Sequence, residues 1–156
     1  MARNNEPLSN VEICELFRED EHYLGTRYIH ELKSIPPMRK GDYLVCAIDA
    51  NTQDNVIAHF TGMYRDLEGN GVFFNSYGIE IPSEVLKYFG RSECKIVKTN
   101  GKLLQRNESN LCGYWVIYVL DSLRKGQKIE DILKKFKEYP RNEKNGSTLI
   151  RLLSDL

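Results

Sequence analysis

The sequence predicts an α+β fold, a largely antiparallel sheet flanked by helices and organised around one buried helix. Three stretches carry that prediction. Asp42–Asp49 and Val56–Tyr64 are strand-length apolar runs set between turn residues, as buried strands require. Asp66-Leu-Glu-Gly-Asn-Gly71 follows the second run and is a hairpin signal, its glycines supplying positive φ, so Val72–Asn75 should return antiparallel. From Gln105 to Leu120 a polar loop ending in Ser109-Asn110 gives way at Cys112 to a run that is apolar nearly all round. That is the pattern of a helix buried in a core.

A chain of 156 residues can bury such a core without metal or disulfide staples, and one domain is expected over 1–156. Residues 1–8 are expected as a flexible tail and 125–156 as a C-terminal helical extension. The hydrophobic share of 41% and charged share of 28% are ordinary for a globular protein. Lysine plus arginine (22) balances aspartate plus glutamate (22), so composition argues for neither nucleic-acid nor membrane binding. The first seven residues are unlike a secretory signal, and no apolar run approaches a membrane span. Cys14, Cys46, Cys94 and Cys112 are widely spaced with no Cys-x-x-Cys pair, which argues against a zinc site or a disulfide framework. Reduced thiols in an intracellular setting are expected.

Along the chain, Ser9 and Glu12 have capping-box spacing and open a helix with Val11, Ile13, Cys14, Leu16 and Phe17 on its apolar side. Tyr23-Leu24-Gly25-Thr26 is a turn or short extended piece. Residues 27–34 form a short helix that must stop before Ile35-Pro36-Pro37, because the residue before a proline avoids helical geometry. Residues 51–55 are a loop between the two long strands. Pro82-Ser83-Glu84 opens a helix with Val85, Leu86, Tyr88 and Phe89 facing inward, and Cys94–Lys98 is a further strand. Two amphipathic helices, around 128–138 and 147–155, follow the buried one. Lys125, Lys128, Lys134, Lys135 and Lys137 are expected on solvated helix faces, with a patch for nucleic acid or an acidic partner as the rarer alternative.

Cys112 falls where Ser109-Asn110 would cap a helix, so its thiol should lie at a helix N-terminus, where the partial positive charge lowers a thiol pKa. A lone cysteine before an apolar run is more often simple packing. Nucleophilic catalysis by a thiol needs a base, a group that orients the base, and donors for an oxyanion. His59 lies in the second strand, and the hairpin brings Asn75 back towards it. An Asn oxygen can hold one imidazole nitrogen and leave the other for a thiol, the Cys-His-Asn arrangement of some thiol proteases. Gln105 and the Cys112 backbone N–H supply oxyanion donors. His22 and His30 lie in polar surroundings and are expected at the surface.

The order His59, Asn75, Gln105, Cys112-Gly113 resembles the adenovirus-type (adenain-like) cysteine proteases, which share a clan with the SUMO and ubiquitin-like-protein proteases. Tyr23-Leu24-Gly25-Thr26, Leu44–Ile48 and Asn75-Ser76-Tyr77-Gly78 followed by Pro82 are similar to motifs of that family. So are Ser109-x-x-Cys112-Gly113 and the placement of Gln105 seven positions before Cys112. The resemblance implies a papain-related fold with a central mixed, largely antiparallel sheet. It makes Cys112 the nucleophile, His59 the general base, Asn75 the orienting group and Gln105 the oxyanion donor. Phe60, where the family has Trp, would line a narrow substrate cleft with Gly113 and Trp115. Asn75 departs from the family's Asp or Glu and would stabilise imidazolium less, although a resting thiolate–imidazolium pair could tolerate that.

By the same resemblance Cys94 matches a cysteine that binds an activating peptide by disulfide; its plainer reading is a buried structural cysteine. The chemistry needs no cofactor, while the family's peptide or DNA activator is a further implication. The implied function is a monomeric thiol endopeptidase of a virus, virophage or related mobile element. It would cleave capsid or other precursor proteins during virion maturation, in the host cytoplasm, nucleus or viral factory, and be packaged in the virion. A deconjugating peptidase for a ubiquitin-like protein and an inactive scaffold that kept the fold are the competing readings.

Overall fold

The computed structural model describes residues 10–52, 55–78, 80–105 and 111–154. Helix α1 (Asn10–Phe17) leads into strand β1 (Tyr23–Tyr28) and a 3-10 helix (Ile29–Ser34) that ends before the prolines. Strands β2 (Tyr43–Thr52), β3 (Asn55–Arg65) and β4 (Gly71–Phe74) follow, then α2 (Ser83–Arg91) and β5 (Val97–Thr99). Helices α3 (Cys112–Arg124), α4 (Ile129–Leu133) and α5 (Asn145–Leu153) complete the chain. The five strands form one sheet in chain order, with the two central pairings antiparallel and the two edge pairings parallel. The fold is α+β with a mixed central sheet.

Why β2 is apolar without a break follows from the cores on its two faces. Tyr43, Val45 and Ala47 point to the α3 side, while Leu44 and Cys46 point to the side covered by α2 and the 3-10 helix. Successive side chains of a strand alternate faces, so a sheet covered on both sides needs apolar residues at every position. Helix α3 is buried from Gly113 to Leu123 and carries the larger core. The segments expected as a C-terminal extension belong to that same core: Ile129, Ile132, Leu133, Leu149 and Leu153 all pack into it.

Several local expectations shift. The strands β2 and β3 run on through residues expected as loop, to Thr52 and from Asn55. In α2 the buried positions are Val85, Tyr88 and Phe89, while Leu86 is exposed, because only one stripe of a helix meets the core. Leu16 is likewise exposed and Phe17 carries the α1 contact, while Ser9 and the side chains of Val11, Ile13 and Cys14 lie outside the described residues. The hairpin turn is held by Asp66, whose Oδ1 accepts from the Glu68 and Asn70 N–H groups at 3.0 and 2.8 Å. The strand expected at 94–98 starts later, at Val97. Of the described residues, no helix is long and apolar enough to cross a membrane.

Candidate active site

Helix α3 begins at Cys112, with Leu111 in the cap position and no side-chain cap bond. Ser109 and Asn110, expected as the cap, lie outside the described residues. The thiol is partly buried at the first turn. Here the sequence expectation is corrected: burial pushes the Cys112 thiol above its ordinary pKa. The backbone N–H groups of Phe60, Gly113 and Cys112 itself pull the other way and do not offset it. Desolvation of a thiolate at a crowded helix start outweighs the helix-end charge.

His59 is the neighbour of Phe60 on β3. Its Nε2 bonds Asn75 Oδ1 at 2.8 Å, just past the end of β4. The same oxygen accepts the Tyr77 backbone N–H at 2.9 Å. A backbone N–H only donates, so this bond fixes Asn75 with its oxygen towards the ring. The proton of the His59–Asn75 bond must then sit on Nε2, which leaves Nδ1 as the basic nitrogen. Burial holds the His59 pKa below its ordinary value, with the Asn75 bond opposing it. Both shifts disfavour the charged forms, and so run against the resting thiolate–imidazolium pair that the resemblance allowed for. Of the described residues, no hydrogen bond joins Cys112 to His59.

The turn 75–78 is anchored in depth. Asn100 accepts the Asn75 N–H at 3.0 Å and donates to the Asn75 carbonyl at 2.7 Å. Gly78, at φ +64°, lies so close to Lys102 that an added Cβ would meet its carbonyl at 2.6 Å. Only glycine fits there. Tyr77 stacks on the His59 ring, centroids 4.4 Å apart. Ser76 accepts the N–H groups of Leu104 and Gln105 at 2.8 and 3.1 Å through its carbonyl, and its hydroxyl donates to Gln105 Oε1. The structure thus brings His59, Asn75 and Gln105 to one turn.

Other expected site residues fall elsewhere. Trp115 is 1% exposed and packs against Phe136 and Phe74, so its ring is core and lines no cleft. The Phe60 ring is buried in the same core, and what Phe60 offers the site is its backbone N–H. Gly113 is buried beside the sulfur. Cys94 packs against the α2-side core, its thiol pushed up by burial with Arg65 and Asp66 as charged neighbours. His30 is exposed, whereas His22 is half-buried and bonded to Asp42. Ser76 and Tyr77 entered the sequence reading only inside the family-like motif Asn75–Gly78 and were given no role, and Asn100 was not singled out.

No family model matches the chain, and no curated protein does. Among solved structures it is similar to two crystal structures of the ASFV pS273R protease, one with selenomethionine, each at TM-score 0.65 and 12% identity. Those matches cover 96% of this chain and 67% and 66% of the protease, so the chain spans about two thirds of its length. The central domain of the uncharacterized Lpg1148 protein from Legionella pneumophila is a weaker match, at TM-score 0.45 and 13% identity over 85% of this chain and 84% of that one. The fold is shared with the ASFV pS273R protease.

Proposed function

We propose that the chain is a thiol endopeptidase with Cys112 as nucleophile and His59 as general base. The observation that carries this reading is the bond from His59 Nε2 to an Asn75 oxygen fixed by the Tyr77 N–H. It presents a lone pair on Nδ1 in a site whose adjacent backbone, at Phe60, faces the Cys112 sulfur. The shared fold with a protease supports it. As substrate binds, imidazole and sulfur close on each other, since catalytic hydrogen bonds often tighten only in the bound complex. Nδ1 takes the thiol proton while Sγ bonds the scissile carbonyl carbon. The oxyanion is met by the Gln105 amide and the Cys112 N–H. Collapse breaks the C–N bond, the imidazolium gives its proton to the leaving amine, and water then hydrolyses the thioester with His59 again as base.

The natural substrates in this reading are capsid or other viral precursor proteins cut during virion maturation. The test is labelling with a thiol-reactive peptide probe ending in a small residue, read by mass spectrometry on wild type, Cys112→Ala and His59→Ala. Labelling at Cys112 that both variants abolish is expected. Absent or indiscriminate labelling of the cysteines would sink the reading. A panel of capsid-precursor peptides against Gly-Gly-terminated conjugates then separates maturation from deconjugation.

A further inference from the structure

We infer that Tyr77 is a positioning residue for the base, its ring holding the His59 imidazole against pivoting about the Asn75 bond; the inference rests on the peptidase reading above. The two rings stack with centroids 4.4 Å apart and planes 25° apart. At that separation their faces are in contact. Tyr77 is half-buried and its ring belongs to neither hydrophobic core, so core packing does not account for its place.

A single hydrogen bond does not fix a ring. His59 is tied at Nε2 to Asn75 Oδ1 at 2.8 Å, and around that bond the imidazole can still pivot. The last torsion of a histidine is broad, so the side chain itself offers little resistance. A flat face laid against the ring supplies it, because a turned imidazole would press one edge into the tyrosine and lose contact along the other. Tyr77 thus meets the dyad twice. Its N–H fixes Asn75 Oδ1 at 2.9 Å, and its ring restrains the histidine that this oxygen holds. Asn100 and the close packing of Gly78 on Lys102 anchor the turn, so the tyrosine is carried on a fixed backbone.

Replacing the side chain leaves the Tyr77 N–H in place, so substitutions report the ring alone. The test is steady-state peptide cleavage by wild type, Tyr77→Phe and Tyr77→Ala, with His59 titrated by NMR and thermal unfolding recorded for each. Among the described residues no charged side chain contributes to the His59 shift. The titratable group to control is the Cys112 thiol on α3, which meets the neighbouring Phe60 backbone, so the titrations are repeated with Cys112→Ala. Tyr77→Ala should lower kcat about tenfold with KM held within about twofold, in line with the cost of misplacing a catalytic group. Its His59 midpoint should rise towards the ordinary histidine value, because burial is the larger cause of the depression and loss of the ring admits water. Tyr77→Phe keeps the flat face and should stay within about twofold of wild type in kcat, with the wild-type midpoint. A Tyr77→Ala that melts earlier yet keeps the wild-type kcat and midpoint would overturn the assignment, and so would a Tyr77→Phe as slow as Tyr77→Ala. Both results leave the peptidase reading standing, whereas a wild type that cleaves no peptide overturns both. Should Tyr77→Ala lose its melting transition, Tyr77→Leu fills the space without a flat face and should show the same loss in kcat; a wild-type kcat there would also overturn the assignment.

Discussion

Two histidines of this chain are held by a side-chain oxygen at nearly the same distance, and their settings differ. His59 Nε2 donates to Asn75 Oδ1 at 2.8 Å, and His22 Nδ1 lies 2.9 Å from Asp42 Oδ1. The second pair sits at the other end of the sheet, where Arg65 N–H donates to the Asp42 carbonyl. That is six residues along β3 from His59, about 20 Å at the usual strand rise. Asp42 is buried, its other oxygen accepting the Arg39 N–H at 2.8 Å, while the His22 side chain is 41% exposed. That pair clamps the entry to β1 onto the entry to β2, and the Arg124–Asp20–Tyr43 network beside it does the same for α3. At the His59 end the acceptor is neutral, the residue is partly buried, and the backbone of the next residue, Phe60, meets the Cys112 sulfur. Under the proposed mechanism an oxygen partner does not by itself mark the base; the neutral acceptor and the Cys112 sulfur beside the next residue do.

The sharpest way to break this contrast is substitution at both ends. Under the proposed mechanism Cys112→Ala and His59→Ala should each lower kcat/KM by about 10⁴-fold or more, while His22→Ala stays within about twofold. Comparable losses at the two histidines would erase the distinction. Gln105→Ala should cost about 10²- to 10³-fold in kcat, the range for one oxyanion donor, measured on the same peptide. Asp42→Ala should act on stability alone, by about 1–3 kcal/mol in urea unfolding, because the Arg39 N–H and His22 lose their acceptor.

The smallest effect sharpens the role of the neutral acceptor. His59 must be neutral to take a proton, so the rate falls as pH drops through its pKa. Burial keeps that pKa below the usual histidine value. The acid limb of kcat/KM in the wild type should therefore lie below about pH 6.5. Asn75→Asp should preserve or raise the rate and move that limb up by about one pH unit, because a carboxylate favours imidazolium. A large loss of rate would contradict the orienting role. Alkylation of Cys112 should titrate above the ordinary thiol range, and thiolate reactivity persisting below pH 7 would restore the resting ion pair.

What the sequence determined by itself was whatever depends on local pattern. The strand runs at Asp42–Asp49 and Val56–Tyr64, the hairpin at 66–71 and the helix from Cys112 were legible because periodicity and turn chemistry are written in neighbouring residues. The nearness of His59 and Asn75 was legible too, since a hairpin of known register places its ends. Tertiary structure decided what depends on surroundings from distant parts of the chain. Trp115 is core because Phe136 and Phe74 close around it. The direction of the Cys112 shift is set by burial against β3, which outweighs a helix-end effect that the sequence could show. Ser76 and Asn100 gained their contacts only when residues 100–105 folded back on the turn at 75–78. Desolvation and long-range hydrogen bonding are sums over neighbours, and a linear sequence does not contain the neighbour list.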